Sequence, residues 1–135
     1  MQGISPYARS LAYICVWREM RSIPDAQQAV TWVILNRAMR WNDNLDEAIV
    51  HEITRPWAFS SMTAKSDPQL RIWPQHSTAF DTVAANVDAV LDGQVSDPTG
   101  GATFYFSMPL TAPPTEWGQV EKTLQIQSVQ FYKVV

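Results

Sequence analysis

The sequence contains few residues of the kinds that form disulfides or zinc sites. It has one cysteine, Cys15, and two histidines, His51 and His76, among 135 residues. One cysteine excludes an intrachain disulfide, and neither histidine has a cysteine or a second histidine at ligand spacing. Phosphate-binding loops, dinucleotide fingerprints and nucleophile elbows are also missing. We therefore expect no metal and no cofactor.

Positive charge and long apolar runs are scarce as well. The chain has 10 Lys and Arg against 13 Asp and Glu, and a pI near 5.2, which argues against nucleic acid or anionic lipid as a partner. The longest apolar run, residues 11–17, is far shorter than the ~20 residues of a membrane span. The N-terminus also lacks the features of a signal peptide. We expect a soluble monomer, made without a signal peptide, that binds no nucleic acid and does not insert into membranes.

The apolar content is that of a folded protein. Apolar residues make up 46% of the chain and charged residues 17%, which excludes intrinsic disorder. A length of 135 residues suits one hydrophobic core, so we expect a single domain over residues 1–135. Six tryptophans are unusual in so short a chain, because a buried indole N–H needs a partner. Tryptophan is common where flat apolar surfaces meet ligands.

Hydrophobic periodicity and cap residues predict a mainly helical α+β fold. Ser5 before Pro6 is typical of a helix start, and Gly93 is typical of a residue just after a helix end. Apolar residues at helical spacing predict helices over residues 6 to about 18, 24 to about 40, 45 to about 53, and 76–91. Residues 57–74 are predicted to be an irregular loop. Residues 102–106 and 124–135 favour strands, which form a small β element near the C-terminus.

Glu19 is the first candidate for chemistry. It follows Cys15 by four residues and Leu11 by eight, so the three side chains share one helix face. A carboxyl group at the edge of an apolar face loses hydration, which raises its pKa and favours a general acid, as in glycosidic bond cleavage. Arg18 and Arg21 would oppose that shift if they pointed the same way. The alternative is a surface glutamate at a helix end, paired with arginine.

Residues 56–63 combine aromatic rings with hydroxyl groups. Phe59 and Ser60 lie in this segment, and such a mixture suits a sugar, which offers an apolar ring face and a rim of hydroxyls. The alternative is a loop whose aromatic rings fill the core. The same two interpretations apply to Trp73.

Residues 97–106 form the third candidate segment. Two adjacent glycines permit a positive φ and lead into a strand on which Thr103 and Tyr105 share one face. The alternative is a tight turn before an amphipathic strand, which leaves the grouped hydroxyls unexplained.

These segments follow one another in an order that is fairly specific. In chain order they are Leu11-Ala12 with Glu19 and Arg21; Val33-Ile34-Leu35-Asn36-Arg37; Arg-Pro-Trp-Ala-Phe-Ser-Ser-Met-Thr at 55–63; Asp-Pro-Thr-Gly-Gly-Ala at 97–102 with Tyr105; and Phe131-Tyr132. Together they resemble the cell-wall hydrolase family typified by the spore-cortex-lytic enzymes. The 55–63 segment is similar to the phage-encoded branch in particular.

The resemblance implies an endolysin-like enzyme that degrades peptidoglycan. It implies a lysozyme-like single domain with an antiparallel β element, and cleavage of the β-1,4 bond between N-acetylmuramic acid and N-acetylglucosamine. The family's catalytic glutamate falls on Glu19, as general acid and base of a lytic transglycosylase. Asn36 and Arg37 are interpreted as packing and supporting residues. The predicted substrate-binding residues are Phe59, Ser60, Trp73, Thr103 and Tyr105.

Three functions remain open at this point. The first is the lytic transglycosylase, which needs one carboxylic acid. The second is a hydrolytic muramidase, with a further carboxylate such as Asp97, Asp25 or Glu116. The third is a glycan-binding or virion structural module of weak activity, which is suggested by departures from the family pattern at Ile23, Ala58 and Val129. The enzyme would act on the bacterial wall, either from the host cytoplasm during lysis or from the virion during entry.

The six tryptophans divide into two groups on this basis. Trp17, Trp32 and Trp41 lie in or near predicted helices, so packing is expected of them. Sugar contacts are expected of the three that fall in the cleft-forming segments of the family: Trp57, Trp73 and Trp117.

Overall fold

The computed structural model describes residues 3–41 and 43–135. In these residues the chain forms five α-helices: α1 (Pro6–Met20), α2 (Gln27–Ala38), α3 (Leu45–Thr54), α4 (Ser60–Thr63) and α5 (Thr78–Leu91). Three strands follow near the C-terminus: β1 (Phe104–Ser107), β2 (Val120–Ile126) and β3 (Val129–Val134). They form one antiparallel sheet in the order β1-β3-β2. The predicted α+β class, mainly helical with a small antiparallel β element, is confirmed.

The helix ends follow the local chemistry closely. The Ser5 hydroxyl accepts a hydrogen bond from the backbone N–H of Ala8, so Ser5 caps α1 as predicted. Gly93 has a φ of 77° after α5, and its N–H donates to the Val90 carbonyl, while the Gln94 N–H donates to the Ala89 carbonyl. This is the Schellman pattern, which favours glycine because an L side chain is strained at positive φ.

Two helix starts differ from the prediction. Pro24 opens a 3₁₀ turn (Pro24–Ala26), and the α-helical part begins only at Gln27, since Ile23 has no side chain that can cap the N-terminus. Helix α5 begins at Thr78 rather than residue 76, because the Ser77 hydroxyl accepts from the Phe80 N–H and fixes the start there.

The core lies between α1, α2, α3, α5 and the inner face of the sheet. Helix α2 is buried on most of its circumference, as its broad apolar stripe predicted. Burying each large aliphatic side chain contributes about 1.5–3 kcal/mol relative to exposure. The fully buried members include Val16, Val30, Val33, Ile49, Ile53, Val83, Val87 and Phe131.

The C-terminal extended region is a hairpin rather than one strand. Residues 120–126 already pair with β3, and the chain turns at Gln127, whose φ is 52°. β3 then lies between the other two strands, with Phe131 opposite Tyr105 of β1. This pairing places β1 beside the helices, where its side chains can reach the end of α1.

The segment 57–74 contains more regular structure than predicted, namely α4 and a 3₁₀ turn (Pro68–Arg71). Arg18 of α1 is buried and connects this segment to the helix through hydrogen bonds. The Arg18 guanidinium donates to the carbonyls of Ser61, Leu70 and Ile72 at 3.0–3.1 Å. One arginine therefore satisfies three backbone carbonyls that no helix or sheet uses. Among the described residues, none of the helices combines the length and apolar character that a bilayer-spanning helix requires.

Candidate active site

Glu19 lies in the last turn of α1 and is half-buried. The Tyr105 hydroxyl of β1 donates a hydrogen bond of 2.6 Å to Glu19 Oε1. Burial raises the pKa of Tyr105 well above its ordinary value, and the negative charge of Glu19 adds to this effect. Tyr105 therefore remains a hydrogen-bond donor at neutral pH, and it fixes one carboxylate oxygen while the other is left for a ligand.

The two neighbouring arginines do not pair with Glu19. Arg18 donates to the carbonyls described above, and Arg21 lies over the Trp17 ring and donates to Gln69 Oε1 at 2.7 Å. Glu19 forms no salt bridge with any residue that the structure describes. The structure therefore does not show the alternative, in which Glu19 is a surface residue paired with arginine.

Glu19 opens into a cleft of about 460 Å³. The wall and the rim come from α1, α2, the 55–60 segment, β1 and the turn before β2, so the site joins distant parts of the chain. The lining residues are Glu19, Arg37, Arg55, Trp57, Ala58, Phe59, Ser60, Phe104, Tyr105 and Trp117. Of the predicted site residues, the fold thus brings Glu19, Phe59, Ser60 and Tyr105 together.

Two other predicted binding residues lie outside this lining. Trp73 is 67% exposed, and its ring lies 5.4 Å from the Arg18 guanidinium. Thr103 is buried, and its hydroxyl has no hydrogen-bond partner within the described part of the chain. Sugar contacts from these two residues stay predictions.

The other carboxylates considered for catalysis are also placed elsewhere. Asp97 accepts hydrogen bonds from the Thr99 N–H and hydroxyl, from Gly101 N–H and from Asn36 Nδ2. Burial alone would raise the pKa of Asp97, but these hydrogen bonds outweigh burial and lower it. Asp25 accepts from Gln127, and Glu116 lies exposed in the 3₁₀ turn Thr115–Trp117. Glu19 is thus the one carboxylate in the cleft lining, as far as the chain is described.

Asn36 holds the 97–102 turn against α2. Its Nδ2 donates to Asp97 Oδ2 and to the Ala102 carbonyl, both at 3.0 Å. This clamp fixes the start of β1, and so it fixes the position from which Tyr105 reaches Glu19. The interpretation of Asn36 as a supporting residue agrees with this geometry.

A buried charged cluster beside the cleft was not anticipated. Glu52 of α3 is 0% exposed and accepts from Arg55 Nε at 3.0 Å and from Trp41 Nε1 at 2.9 Å. Arg37 lies near the same carboxylate and also lines the cleft, so it does more than pack. A charged residue on the apolar face of a helix, as Glu52 is between Ile49 and Ile53, was the available signal.

Trp57 is the most unusual residue of the rim. It is 92% exposed, and its φ is 71°, a left-handed conformation that is costly for a bulky residue. The ring gains almost no packing inside the protein to offset that cost. Such outliers concentrate at functional sites, and here the residue borders the cleft.

Among the residues that the structure describes, no group of three or more His, Cys, Asp or Glu side chains is arranged to hold a metal ion. A half-buried glutamate in a cleft edged by aromatic rings and hydroxyls is an arrangement suited to acid catalysis on a sugar polymer. The fold and the site together define an enzyme of the glycosidase type.

The chain belongs to the cell wall hydrolase family, whose model matches residues 23–132. It is similar to the solved catalytic domain of the SleB protein of Bacillus cereus, with 26% identity, a TM-score of 0.71, and coverage of 98% of this chain and 94% of that one. It is also similar to the catalytic domain of the germination-specific lytic transglycosylase SleB of Bacillus anthracis, with 25% identity, a TM-score of 0.71, and coverage of 98% and 99%. No match was found among curated proteins. The resemblance to the cell wall hydrolase family stated from the sequence is confirmed, and the similarity to its phage-encoded branch stays a prediction.

Proposed function

We propose that this protein is a lytic transglycosylase that cuts the β-1,4 bond between N-acetylmuramic acid and N-acetylglucosamine. One observation carries the proposal: in the described chain, Glu19 is the single carboxylate that lines the cleft, and Tyr105 holds one of its oxygens at 2.6 Å. A hydrolase commonly uses two carboxyl groups flanking the bond, about 5–9.5 Å apart. A transglycosylase needs only one, since the substrate supplies its own nucleophile. One solved relative, from Bacillus anthracis, carries this name.

In the first half of the reaction, protonated Glu19 donates its proton to the glycosidic oxygen as the bond to the muramoyl C1 breaks. The 2-acetamido group of the substrate stabilises the positive charge that develops at C1. In the second half, the Glu19 carboxylate accepts the proton of the muramoyl 6-hydroxyl while that oxygen attacks C1. The product is a 1,6-anhydromuramoyl end, and Glu19 is protonated again.

The cleft lining suits a glycan strand. Phe104 and Trp117 present apolar surface, Ser60 presents a hydroxyl, and Phe59 lies behind them as a buried ring of the lining. Phe104 and Trp117 stack with ring centroids 4.5 Å apart, so that side of the cleft is a rigid aromatic surface. A sugar offers one apolar face and a polar rim, and it matches this mixture.

We further propose that residues 1–135 act as one catalytic domain, as a monomer, in an endolysin-like or virion-borne role on the bacterial wall. The support is the similarity of the 55–63 segment to the phage-encoded branch, together with family matches over residues 23–132.

Mass spectrometry of digested sacculi tests the reaction. We expect anhydromuramoyl ends from the wild type and none above background from Glu19→Gln. Glu121→Gln, which removes an exposed carboxylate of β2 outside the cleft lining, serves as the matched control and should retain activity. Reducing ends without anhydro sugars would point to the muramidase instead. If wild type and Glu19→Gln both bind sacculi and neither degrades them, the protein is a glycan-binding module.

A further inference from the structure

The Nε atom of Arg37 is buried and has no hydrogen-bond partner in the described part of the chain. Its side chain is 12% exposed and lines the cleft, yet it donates no hydrogen bond to any residue in the described ranges. The nearest carboxylate oxygen, Glu52 Oε2, lies 3.9 Å from Arg37 Nε. A buried donor without an acceptor is destabilising by about 1–3 kcal/mol, so its presence in a folded protein calls for an explanation.

Glu52 cannot fully neutralise its neighbours. Its Oε1 accepts from Trp41 and its Oε2 from Arg55, which is 28% exposed and also lines the cleft. One carboxylate therefore serves two guanidinium groups, and the pair keeps a surplus positive charge. That charge faces the same cleft as Glu19.

Aromatic rings hold the Arg37 guanidinium in place. Its Cζ lies 4.9 Å from the centre of the Phe59 ring and 5.9 Å from that of Phe104. Apolar walls of this kind strengthen electrostatic attraction to a ligand, and a fixed planar guanidinium matches a carboxylate with two parallel hydrogen bonds. The cleft thus contains preorganised hydrogen-bond donors for an anion.

We infer that Arg37 and Arg55 form a carboxylate-binding subsite for the lactyl arm of the muramoyl residue. This inference rests on the proposed function. In peptidoglycan, N-acetylglucosamine carries no carboxylate, whereas the lactyl arm ends either in its own carboxylate or in a stem peptide that bears carboxylates. Binding that arm at the arginine pair would distinguish the two sugars, and so would set the register of the strand relative to Glu19.

Chemically altered substrates test the subsite with the unmodified enzyme. Soluble glycan strands are prepared with intact stems, or with stems removed by an amidase so that free lactyl carboxylates remain. A portion of each is then amidated to neutralise its carboxylates. We expect amidation to raise KM about tenfold and to change kcat little, because charge-assisted hydrogen bonds are lost on binding. If only one strand type responds, the carboxylate of that type is the ligand. Equal KM values before and after amidation of both types would overturn the subsite.

Arginine variants provide the matched test. Arg55→Gln and Arg37→Gln should lose most of the discrimination between native and amidated strands. Arg71→Gln removes an exposed arginine outside the cleft lining and should keep it. If the Arg37 variant unfolds, the Arg55 variant alone still tests the subsite, because Arg55 is partly exposed. An Arg55 variant with wild-type discrimination would refute its role.

Binding separates this inference from the proposed function. The dissociation constants of Glu19→Gln protein for native and amidated strands report the subsite without turnover. If the wild type cleaves no strand but amidation weakens binding, the proposed reaction fails and the subsite stands. If cleavage yields anhydro ends and amidation changes neither KM nor the dissociation constant, the subsite fails and the reaction stands.

Discussion

On one side of the cleft the functional side chains are partly buried and packed against neighbouring elements, and the other side carries a strongly exposed tryptophan. We call the first side the inner wall, formed by Glu19, Arg37 and Tyr105 from α1, α2 and β1. We call the second side the outer rim, formed by Trp57, by Ser60 at the start of α4 and by Trp117 of the 3₁₀ turn before β2. Each inner-wall residue is fixed by a second element, whereas Trp57 is 92% exposed.

This difference teaches how one site serves chemistry and polymer binding together. Proton transfer needs a carboxylate fixed within a few tenths of an ångström, and regular elements with buried partners provide that. A glycan strand needs surfaces that contact many rings in turn, and exposed aromatic side chains provide that. Changes in the inner wall should therefore affect stability or turnover, and changes in the outer rim should affect substrate affinity.

The largest effect on stability is expected from the support of the inner wall. Glu52→Gln removes a fully buried charge and leaves Arg37 and Arg55 without their carboxylate. Breaking such a buried pair costs about 3–5 kcal/mol. Denaturant unfolding should show this loss, whereas Glu47→Gln on the exposed side of the same helix should change the free energy of unfolding by less than about 0.5 kcal/mol. Similar values for the two variants would show that the inner wall does not depend on Glu52.

A smaller loss of folding stability, which varies with pH, is expected when Asp97 is changed in the clamp between α2 and β1. The hydrogen bonds to Asp97 lower its folded pKa, so they stabilise the fold above the ordinary Asp value of 3.8. This contribution is lost as the pH falls through the lowered folded pKa. Asp97→Asn should therefore cost about 1–3 kcal/mol at neutral pH. The difference from wild type should shrink below about pH 4. A difference that stays constant from pH 7 to pH 3 would contradict the assigned hydrogen bonds.

Short-range features of the fold could be predicted from the sequence, and long-range pairings could not. Caps at Ser5 and Gly93 and the broad apolar stripe of α2 act over a few residues, so they were predicted correctly. The order of the segments indicated the family, and that family is confirmed. The catalytic role of Glu19 stays a prediction. The tether by Arg18 and the cluster around Glu52 join residues far apart in sequence, and no local pattern encodes those pairings.

For the same reason, the sequence could not decide which aromatic residues border the cleft. Trp57 and Trp73 are both aromatic residues in one irregular segment, but only Trp57 borders the cleft. Which ring points to the site depends on how Arg18 anchors the backbone of that segment. Tertiary contacts decide which side chains are exposed at the site, and composition alone cannot predict this.

Turnover should fall about tenfold when the inner wall loses the hydroxyl that fixes Glu19. Tyr105→Phe removes the hydrogen bond to Glu19 Oε1 and keeps the ring against Phe131. A hydrogen bond to a charged group contributes about 1.5–3 kcal/mol, and part of that energy serves to position the Glu19 carboxylate. We expect kcat to fall and KM to stay nearly constant. Tyr132→Phe, outside the cleft lining, is the matched control. A rise in KM alone would place Tyr105 among the substrate-binding residues instead.

The smallest effect is expected at the outer rim, and it should have opposite signs in stability and in binding. Trp57→Gly removes a ring that packs on almost nothing and replaces it with the residue that tolerates a φ of 71°. The free energy of unfolding should therefore stay the same or rise by up to about 1 kcal/mol. KM for glycan strands should rise several-fold, because the exposed ring is lost as a stacking surface. Trp73→Gly, in the same segment and outside the cleft lining, tests the sugar contact predicted for that ring separately, and a rise in KM there would extend the binding surface beyond the cleft. If Trp57→Gly lowers stability and leaves KM unchanged, the rim is structural and the contrast between the two sides of the cleft does not hold.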